Sequence, residues 1–230
     1  MSYVVATIKP WNIKVFKTMI SKYSGKWTLI SEPEKLTLKN LRALKTKMIF
    51  FPHWSEKIPT EILNEFECIG FHETDLPYGR GGSPIQNLVL EGKKKQSKIS
   101  AIRLEEGWDT GAIYLKESIS LAGTAQEIFE RNAKVVGRMI KKIVQTKPAP
   151  KAQKGKAHVF KRRKPEQSNL LAQDFKTMEE LYDFIRILDA ETYPHAFVEL
   201  GNWRAEFASA KKKGNDLMCQ VTFKKNESKK

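Results

Sequence analysis

Short apolar runs alternate with helical patterns along the first hundred residues, and this alternation restricts the chain to few folds. The strand-like runs cover residues 3–8, 27–30, 48–51 and 68–71, and the helical patterns between them cover 12–25, 38–44 and 59–66. The run from Met48 to Phe51 is continuously apolar, which is typical of a central strand covered on both faces. Because parallel strands need crossover connections, the pattern predicts an α/β fold with a mostly parallel sheet flanked by helices.

The second half of the chain predicts a long helix followed by a smaller region. After a helix at 85–90 and strands at 100–104 and 112–115, Thr124 and Glu127 have the spacing of a capping box, and an apolar stripe runs to about Val144. A helix at 177–188 and strands at 196–200, 204–208 and 218–223 follow. We therefore divide the chain into a main domain (1–146), a basic linker (147–157), a small C-terminal α+β subdomain (158–223) and a basic tail (224–230).

The net charge of +15 is concentrated in two segments. Residues 141–164 contain ten Lys and Arg and no acid, and residues 211–230 contain seven Lys against Asp216 and Glu227. The rest of the chain carries as many acidic as basic side chains. Such charge runs are usually solvated linkers or tails, which is our interpretation here, and contact with nucleic acid is the alternative.

Composition and the N-terminal residues indicate where the protein resides. No stretch approaches eighteen uncharged apolar residues, and residues 1–9 lack the basic start and small-residue cleavage site of a signal peptide. We therefore expect a cytoplasmic protein without a membrane span. Cys68 and Cys219 have no partner at a metal-ligand spacing, so we expect neither a disulfide scaffold nor a bound metal.

A polar cluster begins at His72, directly after the apolar run 68–71. Ligands of open α/β sheets bind outside the carboxyl ends of the strands, so a site is expected at this point. The segment 72–84 resembles the H-x-S-L-L-P-x-x-R-G-x-x-P loop of the formyltransferase family, and it matches at His72, Leu76, Pro77, Arg80, Gly81 and Pro84. Residues 107–111 are similar to the family's D-T-G turn, with Asp109 at the family's spacing from His72. The resemblance spans roughly residues 50–144 and implies a Rossmann-like fold.

This resemblance implies transfer of a formyl group from 10-formyltetrahydrofolate to an amine. Such acyl transfer needs a neutral amine, a donor for the developing oxyanion and a proton for the leaving nitrogen. His72 and Asp109 match the family's catalytic pair, an imidazole that carries a proton and a carboxylate that orients it or accepts the amine's proton. Two residues before this His the family has Asn, but this chain has Gly70. Oxyanion stabilisation is therefore expected from His72, a backbone N–H, Thr74, Asn87 or water.

The folate pocket of the family maps onto two segments beside this pair. The resemblance places it where residues 52–55 meet the loop before Asp109, at Pro52, His53, Trp54, Ser55, Leu104, Gly107 and Trp108. Trp54 and Trp108 offer flat apolar faces to a pterin ring, and packing within the protein is the alternative role for each.

The expected substrate contacts lie on three segments around the same strand ends. Lys9 and Asn12 place a cation and a cap residue at a helix start, which suits phosphate oxygens or a simple helix cap. Arg80 offers a planar fork to phosphate or carboxylate, or holds its own loop. Thr74 and Asn87 complete the predicted substrate-binding set.

The C-terminal region determines the acceptor that we predict. Methionyl-tRNA formyltransferases of the family are expected to resemble this chain only up to the linker and to carry an additional barrel domain beyond it. Residues 160–163 and 182–197 instead resemble the start of the C-terminal region of the sugar-modifying branch. We therefore predict the amino group of a nucleotide-linked deoxy amino sugar as acceptor, in a surface-glycan or pseudaminic-acid-type pathway. The alternatives are a methionyl-tRNA formyltransferase-like enzyme and a non-catalytic relative that binds folate or nucleic acid. Nucleic acid is not the expected partner, and a homodimer is an open assembly state.

Overall fold

The computed structural model describes residues 1–226. The strands are β1 (Ser2–Ala6), β2 (Lys26–Ile30), β3 (Thr46–Pro52), β4 (Glu67–His72), β5 (Tyr78–Gly81), β6 (Gln96–Arg103), β7 (Ile113–Ser120), β8 (His158–Phe160), β9 (Ala196–Leu200), β10 (Trp203–Lys213) and β11 (Asp216–Lys225). The α-helices are α1 (Pro10–Thr18), α2 (Leu38–Ala43), α3 (Thr60–Glu65), α4 (Pro84–Leu90), α5 (Ala125–Thr146) and α6 (Met178–Leu188).

The main sheet has the strand order β2-β1-β3-β4-β6-β7. The pairs from β2 to β4 are parallel, and β6 pairs in the antiparallel sense with both β4 and β7. The predicted α/β class with a mostly parallel, Rossmann-like sheet is therefore confirmed. Pro52 on β3 lies beside Phe71 on β4, so the carboxyl ends of these strands are neighbours. His53 and His72 therefore lie at the same carboxyl end of the sheet.

The sheet separates two apolar clusters. Alternate residues of a strand point to opposite faces, so Ile69 joins the cluster covered by α1 and α5, whereas Cys68 joins the cluster covered by α2 and α3. Phe184 and Ile185 of α6 belong to the first of these clusters. The hydrophobic core therefore continues from the main sheet into the C-terminal region, where β9, β10 and β11 form an antiparallel sheet.

Helix α5 begins with the capping box that the sequence predicts. The Thr124 hydroxyl accepts the backbone N–H of Glu127, and the Glu127 carboxylate accepts the backbone N–H of Thr124. We expect Thr124→Ala to lower the free energy of unfolding by about 1 kcal/mol, because two helix-end donors depend on this pair. Chemical denaturation checks this value. Thr18→Ala is the control, since the Thr18 hydroxyl only bonds a carbonyl within its own helix and should change stability little.

The connection after α5 is anchored to the main domain. Lys151 exchanges backbone hydrogen bonds with Ile113. Strand β8 pairs in parallel with β5, which lies in the loop of residues 72–84, here called the motif loop. The basic segment predicted to be a solvated linker is therefore partly structured. Lys224 lies within β11 and pairs with Glu206, so the strand extends into the segment predicted as a basic tail. Residues 227–230 of that tail lie outside the described residues.

Two absences can be stated for residues 1–226. None of the helices there is long and apolar enough to cross a membrane. The same residues contain no group of three or more His, Cys, Asp or Glu side chains arranged to hold a metal ion.

Candidate active site

His72 and Asp109 are brought together at the carboxyl end of β4. The Nδ1 atom of His72 lies 3.5 Å from Oδ1 of Asp109, and both side chains are mostly buried. The other carboxylate oxygen, Oδ2, accepts the backbone N–H of Gly81 at 2.9 Å. Asp109 has a backbone φ of +54°, a conformation that non-glycine residues adopt rarely and that often marks functional turns. The two motifs found in the sequence therefore form one site.

Both ring nitrogens of His72 face oxygen atoms. Nε2 lies 2.7 Å from the carbonyl oxygen of Gly79. A carbonyl oxygen only accepts hydrogen bonds, so Nε2 carries a hydrogen, and an ionised Asp109 likewise favours a hydrogen on Nδ1. Both ring nitrogens of His72 are therefore held by oxygen atoms of the protein. The ring must release one of these two contacts before it gives a proton to a leaving nitrogen.

Thr74 and Asn87 hold the motif loop in place. The hydroxyl of Thr74, which is fully buried, donates to the carbonyl oxygen of Gly79 at 3.2 Å. The amide of Asn87 donates to the carbonyl oxygens of Gly82 and Lys161, and its side chain is also buried. The sequence predicted both residues as substrate contacts. The structure gives both side chains hydrogen bonds that hold the backbone of this loop, and their contact with substrate stays a prediction.

Arg80 and Gln153 link the motif loop to the second motif segment, residues 107–111. Arg80 donates from Nε and Nη2 to Oε1 of Gln153, at 3.1 and 2.7 Å. Nε2 of Gln153 in turn donates to the carbonyl oxygens of Asp109 and Gly111, at 2.7 and 2.9 Å. Of the two roles predicted for Arg80, loop support is therefore the one that the structure shows. Gln153 was missed by the sequence analysis, because it lies in a stretch of Lys, Ala and Pro without any motif.

The space opposite Gly70 is filled by Leu104. A Cβ atom added at Gly70 would lie 2.6 Å from Cδ2 of Leu104, closer than real Cβ atoms approach their neighbours. Leu104 is held there by its backbone N–H, which donates to the carbonyl oxygen of Cys68. This packing gives a physical reason for Gly at the position where the family pattern has Asn.

The two segments assigned to the folate pocket approach the same face of the sheet. Trp54 and Leu104 both pack against the cluster under α2 and α3, and the indole N–H of Trp54 is buried without a hydrogen-bond partner in the described residues. Ser55 and Gly107 are exposed, and Trp108 is 81% exposed. Pro52 ends β3 as a buried residue. His53 differs from the others, since its ring packs edge-on against Trp11 and Phe129 on the opposite face.

Lys9 and Asn12 lie at the start of α1 with different exposures. Lys9 precedes the helix, is partly exposed, and donates from Nζ to the hydroxyl of Thr192. Asn12 is buried inside the first turn, and its amide donates to the carbonyl oxygen of Pro52. The prediction that Asn12 caps this helix is wrong, because the helix begins at Pro10 and its N-cap residue makes no side-chain cap bond. Lys9 is therefore partly open to solvent, whereas Asn12 lines a small buried cavity together with His53.

A second polar cluster lies on the α1 and α5 side of the same sheet edge. It consists of His53, Glu73 and Asn132, which line a cavity of about 10 Å³. Nδ1 of His53 lies 3.9 Å from Oε1 of Glu73, and the Asn132 amide donates to the same oxygen at 3.4 Å. Burial raises the pKa of Glu73 to about 7, although the Asn132 bond opposes this rise. Glu73 and Asn132 were missed, and the one signal available was a polar Asn within the apolar stripe of α5.

Comparison with known proteins identifies the family. Residues 12–144 match the family model described as formyl transferase, which is more than half of the chain. The chain belongs to the formyl transferase family. Residues 165–224 match a second model, described as the C-terminal domain of methionyl-tRNA formyltransferase. The resemblance predicted from the His72 and Asp109 motifs is thereby confirmed.

Individual members of the formyl transferase family resemble the chain to different extents. A solved structure of a methionyl-tRNA formyltransferase from Clostridium thermocellum is 43% identical, with a TM-score of 0.92 and coverage of 98% of this chain and 99% of that one. A methionyl-tRNA formyltransferase of Wolinella succinogenes is 30% identical over 69% of this chain, and the chain spans only 54% of that relative. A sugar N-formyltransferase from a Shewanella species has a TM-score of 0.68 with 96% of each chain covered, but its 14% identity shows a shared fold alone.

The C-terminal region of the chain resembles methionyl-tRNA formyltransferases more than the sequence analysis predicted. The expectation that methionyl-tRNA formyltransferases resemble this chain only up to the linker is wrong, because the C-terminal model matches residues 165–224 and the Clostridium protein has nearly the same extent. The nucleotide-sugar acceptor inferred from that region is therefore not confirmed.

Proposed function

We propose that this protein transfers a formyl group from 10-formyltetrahydrofolate to a primary amine of a phosphate-bearing acceptor. The observation that carries the proposal is the His72–Asp109 pair, formed by both family motifs at the carboxyl edge of the sheet. In this reaction the amine nitrogen bonds to the formyl carbon, the carbonyl oxygen becomes an oxyanion, and the bond from the formyl carbon to the folate nitrogen then breaks. The leaving nitrogen must gain a proton, which the His72 imidazolium supplies.

Asp109 acts on this step by orienting and stabilising the charged imidazole. Its second oxygen is held by the Gly81 N–H, so the carboxylate is fixed before substrates bind. Groups that are already oriented do not need to reorganise as charge develops, which is the main source of electrostatic catalysis. The links through Arg80 and Gln153 maintain this geometry from outside the site.

The folate co-substrate fits the face of the sheet where Trp54 and Leu104 pack, next to the loop that carries Trp108. The buried, unpaired indole N–H of Trp54 offers a hydrogen bond, and the exposed ring of Trp108 offers a flat apolar contact. We expect Trp108→Ala to weaken the binding of tetrahydrofolate about tenfold, which corresponds to about 1.4 kcal/mol. Isothermal titration calorimetry measures this loss.

Trp203→Ala is the matched control for this prediction. Trp203 is also an exposed tryptophan, but it lies on β10, outside the motif loops. Equal folate affinity in both variants and the wild type would contradict the assignment of Trp108 to the pocket.

The acceptor is best supported as methionyl-tRNA. The relatives with the higher sequence identities carry that name, and one of them covers nearly the whole chain. A nucleotide-linked amino sugar is the second candidate, since a sugar N-formyltransferase shares the fold over nearly the whole chain. Both acceptors combine an amine with phosphate groups. Lys9 and Arg162 suit such phosphates, because both positive charges lie close enough to the carboxyl end of the sheet to lower the pKa of His53 there.

Mass spectrometry of the products tests the proposal. The protein is incubated with 10-formyltetrahydrofolate and, separately, with methionyl-tRNA and with UDP- and dTDP-linked amino sugars. A mass gain of one formyl group on one of these acceptors is the expected result, and the acceptor that gains it settles the specificity. No product with any of them, while folate still binds, would favour a non-catalytic folate-binding relative.

A further inference from the structure

Consecutive residues at the end of β4 place one proton-carrying group on each face of the sheet. His72 lies on the face of Cys68 and Gly70, where Leu104 packs and the folate is proposed to bind. Glu73 lies on the opposite face, where it lines a cavity with Phe71 and residues of α5. A reaction between two substrates needs two binding sites that meet at the reacting atoms. The end of β4 offers one such site on each face of the sheet.

The cavity beside Glu73 is matched to a small hydrogen-bond donor. Its volume of about 10 Å³ is the room needed by one water molecule or a group of that size. Asn132 is 2% exposed, and its Oδ1 makes no hydrogen bond among the described residues. Nδ1 of His53 is likewise buried and unpaired there. Oδ1 of Asn132 and an ionised Glu73 only accept hydrogen bonds, and Nδ1 accepts in one tautomer of the neutral ring.

The walls and charges around this cavity restrict the ligand further. Trp11 and Phe129 stack 4.9 Å apart and cover the polar atoms with aromatic surface. Burial, together with the charges of Lys9 and Arg162, lowers the pKa of His53 to about 3, so its imidazole is neutral at pH 7. Glu73 therefore faces a neutral His53 and the amide of Asn132. The positive charges of Lys9 and Arg162 lie near His53, and His72 precedes Glu73 in the chain. A ligand with an amine at one end and phosphate further away matches this arrangement.

We propose that the cavity between His53, Glu73 and Asn132 receives the amino group of the acceptor, and that Glu73 is the base that accepts its proton. This inference rests on the proposed formyl transfer. A neutral amine attacks the formyl carbon, and its nitrogen becomes positively charged. Glu73 takes one proton from that nitrogen while His72 gives one to the leaving folate nitrogen. Glu73 is then protonated and His72 neutral, and exchange with solvent restores both.

The pH dependence of kcat in Glu73→Gln tests this role. In the wild type, a protonated Glu73 cannot accept a proton, so kcat should rise as the pH increases through about 7. We expect Glu73→Gln to lower kcat at least about a hundredfold and to remove this rise, with the Kd for tetrahydrofolate unchanged. Glu130→Gln makes the same chemical change at an exposed position of α5 and should behave as the wild type.

Asn132→Ala provides a second variant with a different expected signature. Its amide N–H lowers the pKa of Glu73, so its removal should move the rise in kcat to higher pH. Wild-type kcat in Glu73→Gln, or a lowered kcat that keeps the rise near pH 7, would overturn the inference but leave formyl transfer intact. Absence of product from the wild-type protein with methionyl-tRNA and with the amino sugars would instead defeat the proposed function itself.

Discussion

His72→Ala and Asp109→Asn should each reduce kcat at least about a hundredfold while the fold and folate binding survive. A positioned general acid contributes about a hundred to ten-thousandfold in rate, and Asp109 is needed to orient the imidazole that serves as that acid. The double variant should be little slower than the slower single variant, because groups that act as a unit give strongly non-additive effects. Steady-state kinetics with the acceptor identified by mass spectrometry provides the measurement.

The chain contains a second histidine–aspartate pair that serves as a matched control. His195 Nε2 lies 3.5 Å from Asp189 Oδ1, and Asp189 also accepts a backbone N–H, from Ser209. This pair lies between the end of α6 and β9, and neither residue belongs to residues 72–84 or 107–111. His195→Ala should therefore leave kcat unchanged. Near-normal turnover in His72→Ala would contradict the mechanism and favour a binding protein.

The sequence was most informative where local pattern and tertiary structure agree. The apolar run 48–51 became a buried central strand, and Thr124 and Glu127 form the predicted capping box. Each of these features depends on residues close together in the chain, so periodicity and spacing were enough to locate them. The pairing of His72 with Asp109 is a long-range contact, and only the family resemblance predicted it.

The residues that were missed depend on contacts between distant segments. Gln153 looks like part of a solvated linker, yet its amide joins Arg80 to the Asp109 loop. Nothing in its neighbours along the chain indicates this role. Glu73 occupies a motif position at which the family pattern specifies no residue, and its importance depends on Asn132, which α5 brings beside it. Burial and charge at such positions follow from the assembled fold rather than from local sequence.

Restoring the family's Asn at Gly70 should destabilise the protein by about 1–3 kcal/mol, because the new side chain would overlap Leu104. The clash is with the end of a side chain rather than with backbone, so the space can be recovered by truncation. Leu104→Ala should therefore offset much of the cost of Gly70→Asn. Chemical denaturation of the two single variants and the double variant measures the coupling directly.

The sign of the coupling free energy between these two substitutions shows whether the packing of Leu104 explains the glycine at position 70. If Leu104 fills the space of the absent Asn, the double variant must be more stable than the sum of the two single effects predicts, by about 0.5–3 kcal/mol. Strictly additive losses would show that Leu104 can move aside without cost, and that its packing does not explain the glycine. In the double variant the introduced Asn side chain would lie on the same face of β4 as His72, since residues two apart on a strand point to the same face. A higher kcat there than in Leu104→Ala alone would identify the lost amide as an oxyanion donor that this chain has replaced by packing.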